Sequence, residues 1–491
     1  MKSNKIPKST LIIAWVIVFG AMAPLLDSTM MNIAINSLVQ SLHSSVTTVQ
    51  WTITSYMLAT GAAVPFSSWL LNKYNGKYIF LFGEILFGLG SVLSALSTNV
   101  HFLILSRLIQ GFAGGLIMPL LTTLLVQTAG AAVMGQMMAT VGLPMILGPL
   151  MGPIIGGIII KYLSWRWLFW INVPVTIISI TLITIKMPDF KPQDRSAQLD
   201  LIGTLLVIIT TSSIIYSVVK VTQTASFLNH TSLIYFGIGL MSACFYTFWA
   251  QHQGPKAVIP LSLFRLSSFN GSVIGLFIAG TVLNGSMLLL PLFFQNVRGM
   301  SIIISALSLI PQGLGMLISR PLTGRMTDKI GAKYVVAVSA IVTFVGTIPF
   351  YWIDQNTEYW IIALVLLIRG IGAGGILTPL MADTFTGMKK RQISSATVGS
   401  RLIQNIGSAF GSAIVTTIVT AFSVSHVKML QQGLKNGRYT IKSSEMNSFL
   451  QQHLSHIRLE AFQTGFLIVA CACLLIILST VLLSNKVQQN K

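Results

Sequence analysis

Uninterrupted apolar runs of about 20 residues recur from one end of this chain to the other, separated by short polar breaks. A helix of that length rises ~30 Å, the thickness of a bilayer's hydrocarbon core. In hydrocarbon no water is available to backbone N–H and C=O groups, so each run must satisfy its own hydrogen bonds as a helix. Only 9% of the 491 residues are charged while 53% are hydrophobic, too few charges to cover a surface in water. The chain reads as an all-α polytopic membrane protein. Breaks at charged and Asn/Gly/Pro-rich positions give 14 spans, at approximately residues 11–33, 51–71, 78–98, 102–126, 134–160, 166–186, 200–220, 231–250, 269–296, 302–320, 334–353, 359–382, 394–421 and 462–484.

A net charge of +20 would suggest a nucleic-acid partner in a soluble protein. Here the basic residues sit mostly in the connections, and no nucleic-acid partner is expected. With the N-terminus inside, 19 of the 31 Lys and Arg fall in inner segments and 8 in outer ones, and Arg107, Lys220, Arg369 and Arg401 lie within spans. That bias places both termini in the cytoplasm, and Ile- and Lys-rich usage suits a bacterial plasma membrane. Lys2, Lys5 and Lys8 followed by Ala21-Met22-Ala23 imitate a signal-peptidase site. The apolar pattern runs on past Pro24, however, and the segment is expected to be retained. Cys244, Cys471 and Cys473 have neither metal nor disulfide spacing and read as inert core residues, and His453 and His456 as a solvated helical face rather than a metal site.

The chain also repeats itself at an offset of about 256 to 260 residues. Leu70 to Tyr78 matches Met326 to Tyr334, Ala113-Gly114-Gly115 matches Ala373-Gly374-Gly375, and Gly148 and Gly152 match Gly407 and Gly411. Spans 1–6 thus pair with spans 9–14. The expected organisation is a six-helix bundle over residues 1–187, a linker with two inserted spans over 188–267, and a second bundle over 268–491 with a long outer loop at 422–461. Two parallel repeats around a central cavity is the plan of many secondary transporters. No phosphate-binding Gly-rich loop and no cluster of nucleophile, base and orienting acid points to an enzyme.

Several motifs sharpen this reading. Gly142, Gly148, Pro149, Gly152, Pro153, Gly156 and Gly157 in span 5 put small residues on one face and remove backbone donors, allowing close helix contact and bending. This tract resembles the antiporter motif of major facilitator exporters. Arg107 to Gly111 resembles that superfamily's intramembrane arginine motif. Gly324, Arg325, Asp328, Lys329, Gly331 and Lys333, with Lys73 and Lys77 in the first half, resemble its cytoplasmic gate signature. Leu26 to Ala34, Trp51 to Tyr56 and Ser164 to Pro174 are similar to the fourteen-span drug:proton antiporters of the QacA/EmrB type. The resemblance covers nearly the whole chain. Asn72 departs from it, standing where the signature usually has Asp, as does Ser68 where Gly is usual.

Ionisable groups at bilayer depth are costly unless paired, hydrated or neutral, so each is a functional candidate. Counting ~1.5 Å per residue puts Asp27 about 24 Å and Arg107 about 21 Å above the inner boundary, and the resemblance implies that spans 1 and 4 adjoin at the cavity. Asp27 and Arg107 are therefore expected to communicate, directly or through Gln110 and water, as the proton-coupling site. The repeat offset sends Asp27 to Asn284, an uncharged counterpart. Asn32, Gln110, Asn284, Arg369 and Met30 are expected to face the substrate cavity. Met30, Met31, Met118, Met145, Met151 and Met287 serve there either as adaptable contacts or as gap-fillers. Glu84 reads as a structural group in contact with Lys77 or a neighbouring helix, or as a second proton or substrate-cation site. Asp383 and Arg401 suggest an inner-face charge network. The implied function is a proton-coupled antiporter exporting drugs or other amphipathic molecules, with no cofactor beyond the proton gradient, acting as a monomer. The alternative is a narrow-substrate exporter of tetracycline, an amino acid or another metabolite.

Overall fold

The computed structural model describes residues 7–129, 137, 143–192, 194–436 and 446–485, and every regular element among them is helical. In chain order the long helices are α1 Lys8–Met30, α2 Val46–Lys73, α3 Gly76–Ala95, α4 Val100–Ala129, α5 Leu143–Tyr162, α6 Trp167–Lys186 and α7 Leu201–Thr224. They continue as α8 His230–Gln253, α9 Ser267–Asn296, α10 Ile302–Ile330, α11 Ala332–Tyr351, α12 Tyr359–Asp383, α13 Ile393–Lys435 and α14 Met446–Thr480. Twelve of these are long and apolar enough to cross a bilayer. The other two are α2, whose first half is diluted by Thr47, Thr48, Thr52, Thr54 and Ser55, and α5. The set is compatible with the 14 spans read from sequence.

Proline and glycine shape the helices that matter most for the site. Helix α1 is interrupted at Ala21, whose N–H turns to Val18 O, and Pro24 then offers no N–H to the carbonyl of Gly20. Gly111 and Gly115 bring α4 against α2 so closely that a Cβ at either would lie 2.4 Å from Tyr56 O or 2.3 Å from Thr60 O. In the second half, Gly370 of α12 meets Gln312 O of α10 at 2.1 Å in the same sense, and Gly374 meets Met316. Glycines on α13 do the same for α9: Gly407 approaches Phe277 O at 2.2 Å and Gly411 approaches Thr281 O at 2.1 Å.

Each half has its own apolar core. One is built around Phe80, Phe87, Leu116 and Leu120, the other around Phe293, Phe350, Phe462 and Phe466. The first core also takes in Phe269, Phe385 and Ile393, so the halves share packing at the face where α1 begins and α14 ends. There Asn72 accepts from Ser394 at 3.3 Å, Thr123 meets Thr397 at 3.2 Å, and Arg401 donates to Thr122 at 2.7 Å. At the opposite face, Gly157 of α5 lies against Ile303 of α10. The inserted helix α7 packs on both α2 and α13 through Ile215, Val218 and Val221 against Leu58, Ala409 and Ala413, flanking the seam between halves. Helix α8 packs on α7 and leaves most of its own surface to the outside.

Two expectations need correcting. The segment 422–461 is not a loop over most of its length: α13 runs for 43 residues to Lys435, and α14 begins at Met446. No Gly or Pro stands between Gly411 and Gly433, so nothing stops the helix where its apolar face ends. It extends to ~65 Å, well beyond a ~30 Å core. Cys244 and Cys471 are exposed on outward helix faces, and Cys473 alone is a core cysteine. An apolar run does not distinguish a lipid-facing position from a bundle-facing one.

Candidate functional site

The centre of the first half is a buried polar cluster held by five helices. Gly111 sets α4 against α2, and one turn earlier Arg107 lies over the ring of Tyr56, its guanidinium carbon 4.2 Å from the centroid. The guanidinium donates to Asp27 Oδ2 on α1, to Gln110 Oε1 at 2.9 Å and, through Nε, to Thr52 O at 3.2 Å. Asn172 on α6 donates to the other carboxylate oxygen of Asp27 at 3.1 Å. Gln110 is fixed in turn by α3: it donates to Ser91 at 2.7 Å and accepts from Ser94 at 3.1 Å. Gly90 leaves room for it, since a Cβ there would be 2.7 Å from Gln110 Cγ. Asp27 and Arg107 are 3% and 1% exposed, so the pair is neutral as a unit and sealed from solvent.

Removing one partner would strand a buried charge, whereas protonating Asp27 changes the network without removing an atom. A carboxylate that accepts from Arg107 and Asn172 becomes, on protonation, a donor that one of them must rotate to meet. The arrangement can therefore convert proton occupancy into a change in side-chain pairing where α1, α4 and α6 meet.

The second half packs in the same way but carries different chemistry. Gly370 and Gly374 meet Gln312 and Met316 as Gly111 and Gly115 meet Tyr56 and Thr60, so Arg369 holds the place of Gln110 and Leu366 that of Arg107. Arg369 is 1% exposed and, among the described residues, donates to the neutral oxygens Gln312 Oε1 at 2.6 Å and Thr347 Oγ1 at 3.2 Å. It is enclosed within the second bundle. The counterpart of Asp27 also differs from the sequence expectation. Gly148 and Gly152 pack on Leu25 and Thr29, as Gly407 and Gly411 pack on Phe277 and Thr281, which places Ala279 rather than Asn284 opposite Asp27. The second half has seven residues more between these two contacts, about two helical turns, and a single offset cannot follow it. Asn284 is exposed and donates to Ser408 at 2.8 Å.

The remaining candidates are dispersed. Met30 is buried beneath Gly156, with Met31 beside it, whereas Met151 and Met287 are exposed. Asn32 lies in the 3-10 turn that follows α1. Gly142 is outside the described residues, while Pro149 and Pro153 lie within α5. Gly157 faces α10. In the gate signature, Lys73 sits over the rings of Trp69 and Tyr74, and Lys77 donates to Thr184 O at 2.9 Å rather than reaching Glu84. Gly331 has a φ of 85° and lies against Ser484, whose carbonyl accepts from Lys333 N. Gly324 is buried, while Arg325 and Lys329 are exposed and Asp328 is half-buried. Asp383 binds Ser484 and Thr386, and Arg401 binds Thr122 and Gln404, so the two do not meet each other. His456 contacts Glu460 at 3.4 Å, and His453 pairs with Phe449 O. Sequence reasoning did not single out Ser91, Ser94, Tyr56 or Asn172 as partners, although the last two lie inside tracts that carried the family resemblance.

A family model described as Major Facilitator Superfamily matches residues 17–412. The chain belongs to the major facilitator superfamily. Membership makes it a transporter rather than an enzyme. Among curated relatives from this superfamily, a "Multidrug resistance protein B homolog" of Mycobacterium tuberculosis is 30% identical over 426 residues, covering 86% of this chain and 78% of that protein. "Multidrug export protein EmrB" of Escherichia coli is 26% identical over 415 residues, covering 83% and 80%. The human organic anion transporter MFSD10 has a similar fold, with a TM-score of 0.60 at 13% identity over 95% of this chain and all of that one. A XylE variant gives a TM-score of 0.61 at 16% identity over 95% and 94%.

Proposed function

We propose that this major facilitator protein is a proton-driven exporter of drugs or other amphipathic small molecules, with Asp27 as its coupling carboxylate. The observation that carries the reading is the sealed Asp27–Arg107 pair braced by Asn172 and Gln110. The names of the relatives, a multidrug resistance protein and a multidrug export protein, supply the substrate class. In this reading the protein works as a monomer in a bacterial plasma membrane with both termini inside, and the proton gradient replaces any cofactor.

The geometry supports the following cycle. The face carrying Asn72, Thr122 and Arg401 is the cytoplasmic one, and it is closed here by hydrogen bonds between the halves. Protonation of Asp27 from outside loosens its hold on Arg107 and Asn172, and the halves rock so that the substrate site faces inward. Inward release of the proton restores the pair. A potential of 100 mV supplies ~2.3 kcal/mol per inward charge, and each unit of pH difference ~1.4 kcal/mol.

The test is efflux of ethidium from cells expressing wild type or Asp27→Asn, with and without a protonophore. The reading expects wild-type efflux that the protonophore abolishes, and a variant present in the membrane but inactive. Normal pumping by Asp27→Asn would move coupling elsewhere. Absence of dye efflux from wild type would favour a narrow-substrate exporter.

A further inference from the structure

A second buried acid lies outside the network just described. Glu84 on α3 is fully enclosed, and neither carboxylate oxygen has a hydrogen-bond partner. Its neighbours are the aromatic and small residues between α1, α3 and α6. A Cβ on Gly20 would sit 2.9 Å from Glu84 Oε1 and 2.6 Å from the ring of Phe80. The glycine is what makes room for the carboxyl. Ser179 on α6 is the polar side chain that faces it.

Among the described residues, no charged group faces Glu84 from α1, α2, α4 or α6. Lys77, two turns earlier on α3, is committed to Thr184 O. The level of Glu84 on α4 is that of Ile117, opposite Gly83, whereas Gln110 lies opposite Gly90. Arg107 and Asp27 are therefore at least ~10 Å further along the bundle. An ionised carboxylate sealed at this depth, with one serine hydroxyl beside it and no counter-ion among the described residues, is too costly to persist, so the group is held as the neutral acid in this conformation. A neutral acid has an O–H to donate. The hydroxyl of Ser179 is an acceptor within its surroundings.

A role in packing alone does not call for an acid, since Gln, Met or Leu would fill the space without the cost of a group that can ionise. What distinguishes this place is the break in α1. The interruption at Ala21 divides α1 into an outer part, Met22–Met30, that carries Asp27, and an inner part, Lys8–Gly20, that covers Glu84. Bending at that break would open the carboxyl toward the face of the chain ends while the outer part responds to the Asp27 pair. We propose that Glu84 is a second proton carrier, loaded in this conformation and emptied when the inner part of α1 swings away, so that two protons move per substrate. Only a proton transfers: the carboxyl O–H breaks, water on the opened face takes the proton, and the carboxylate is left hydrated until it is reloaded. This inference rests on the proton-coupled reading above.

The experiment is the transport stoichiometry of purified protein in liposomes, with ethidium as the monovalent cationic probe. Imposed pH gradients and valinomycin-clamped potentials are varied to find the zero-flux condition. Two protons per cation predict a 100-fold ethidium gradient per pH unit at zero potential and inhibition by an opposing voltage. Glu84→Gln is expected to transport still, with a tenfold gradient per pH unit and no response to voltage, and Glu84→Asp to retain the wild-type ratio. A wild-type ratio of one overturns the proposal whether or not the variants fold. So does an unchanged ratio of two in Glu84→Gln, and in both cases proton coupling itself stands. A wild type with flux independent of the proton gradient overturns the coupled reading as well.

Discussion

The two halves of this protein share a packing scheme and differ in what they bury. Both press an α4-type helix onto an α2-type helix through glycines four residues apart, Gly111 and Gly115 in one and Gly370 and Gly374 in the other. In the first half this scaffold holds an ion pair, Asp27 with Arg107, every group of which has a partner that protonation can displace. In the second half it holds Arg369 among neutral oxygens, with Ala279 where an acid would stand. A guanidinium does not give up its proton in a protein, so the second cluster cannot cycle between protonation states. In the proton-coupled reading the halves divide the labour: the first carries the proton-responsive pair, while the second keeps a fixed positive charge.

Breaking the first cluster is expected to have the largest effect. Arg107→Ala leaves Asp27 sealed with Asn172 as its one remaining donor, a loss of about 3–5 kcal/mol by analogy with broken buried pairs. Thermal unfolding in detergent, followed by size-exclusion chromatography, should show a markedly lower transition and no transport in any fraction that survives. Asp27→Asn combined with Arg107→Gln should recover much of the unfolding temperature but none of the proton-driven transport.

The shared scaffold predicts effects of similar size in both halves. A methyl group at Gly111 or Gly370 would meet backbone oxygen at 2.4 or 2.1 Å. Gly111→Ala and Gly370→Ala should each destabilise by about 1–3 kcal/mol. The same unfolding assay checks this, and a large effect in only one half would mean that the glycines do not do equivalent work. Arg369→Gln is expected to be milder. It should slow transport but leave its pH profile in place, measured as ethidium efflux across external pH values. A shifted profile would show that the second half takes part in coupling.

The smallest effect is expected outside the membrane. In the connection before α12, Asp354 accepts from Thr357 Oγ1 at 2.7 Å and from the N–H groups of Asn356 and Thr357, which holds its carboxyl below the usual aspartate range. Its folded pKa is depressed, so the stabilisation is complete above the ordinary aspartate value and is lost as pH falls through the lowered one. Near neutrality the group does not titrate. Asp354→Asn should therefore leave the pH dependence of transport unchanged, measured in the same efflux assay.

Much of this was readable in the residues. The all-helical membrane class follows from the length of the apolar runs, because the bilayer permits few other solutions. The meeting of Asp27 and Arg107 followed from matching depths together with the implied adjacency of spans 1 and 4. What could not be read was lateral and local. Hydropathy did not separate the lipid-facing Cys471 from the buried Cys473 two residues on. The repeat offset misplaced the counterpart of Asp27, because the second half holds about two extra turns of chain between these helices. The Ser91 and Ser94 bracing of Gln110 carries no pattern of its own, since serine on a transmembrane helix ordinarily satisfies itself on its own backbone.

The most direct test of the coupling claim is proton release on substrate binding. Purified protein in weakly buffered detergent solution is mixed with tetraphenylphosphonium or ethidium, and a pH-indicating dye counts the protons released per bound cation. The account predicts release from wild type, one equivalent less from Asp27→Asn, and the wild-type value from Arg369→Gln. Release from Asp27→Asn equal to that of wild type, with substrate still bound, would contradict it.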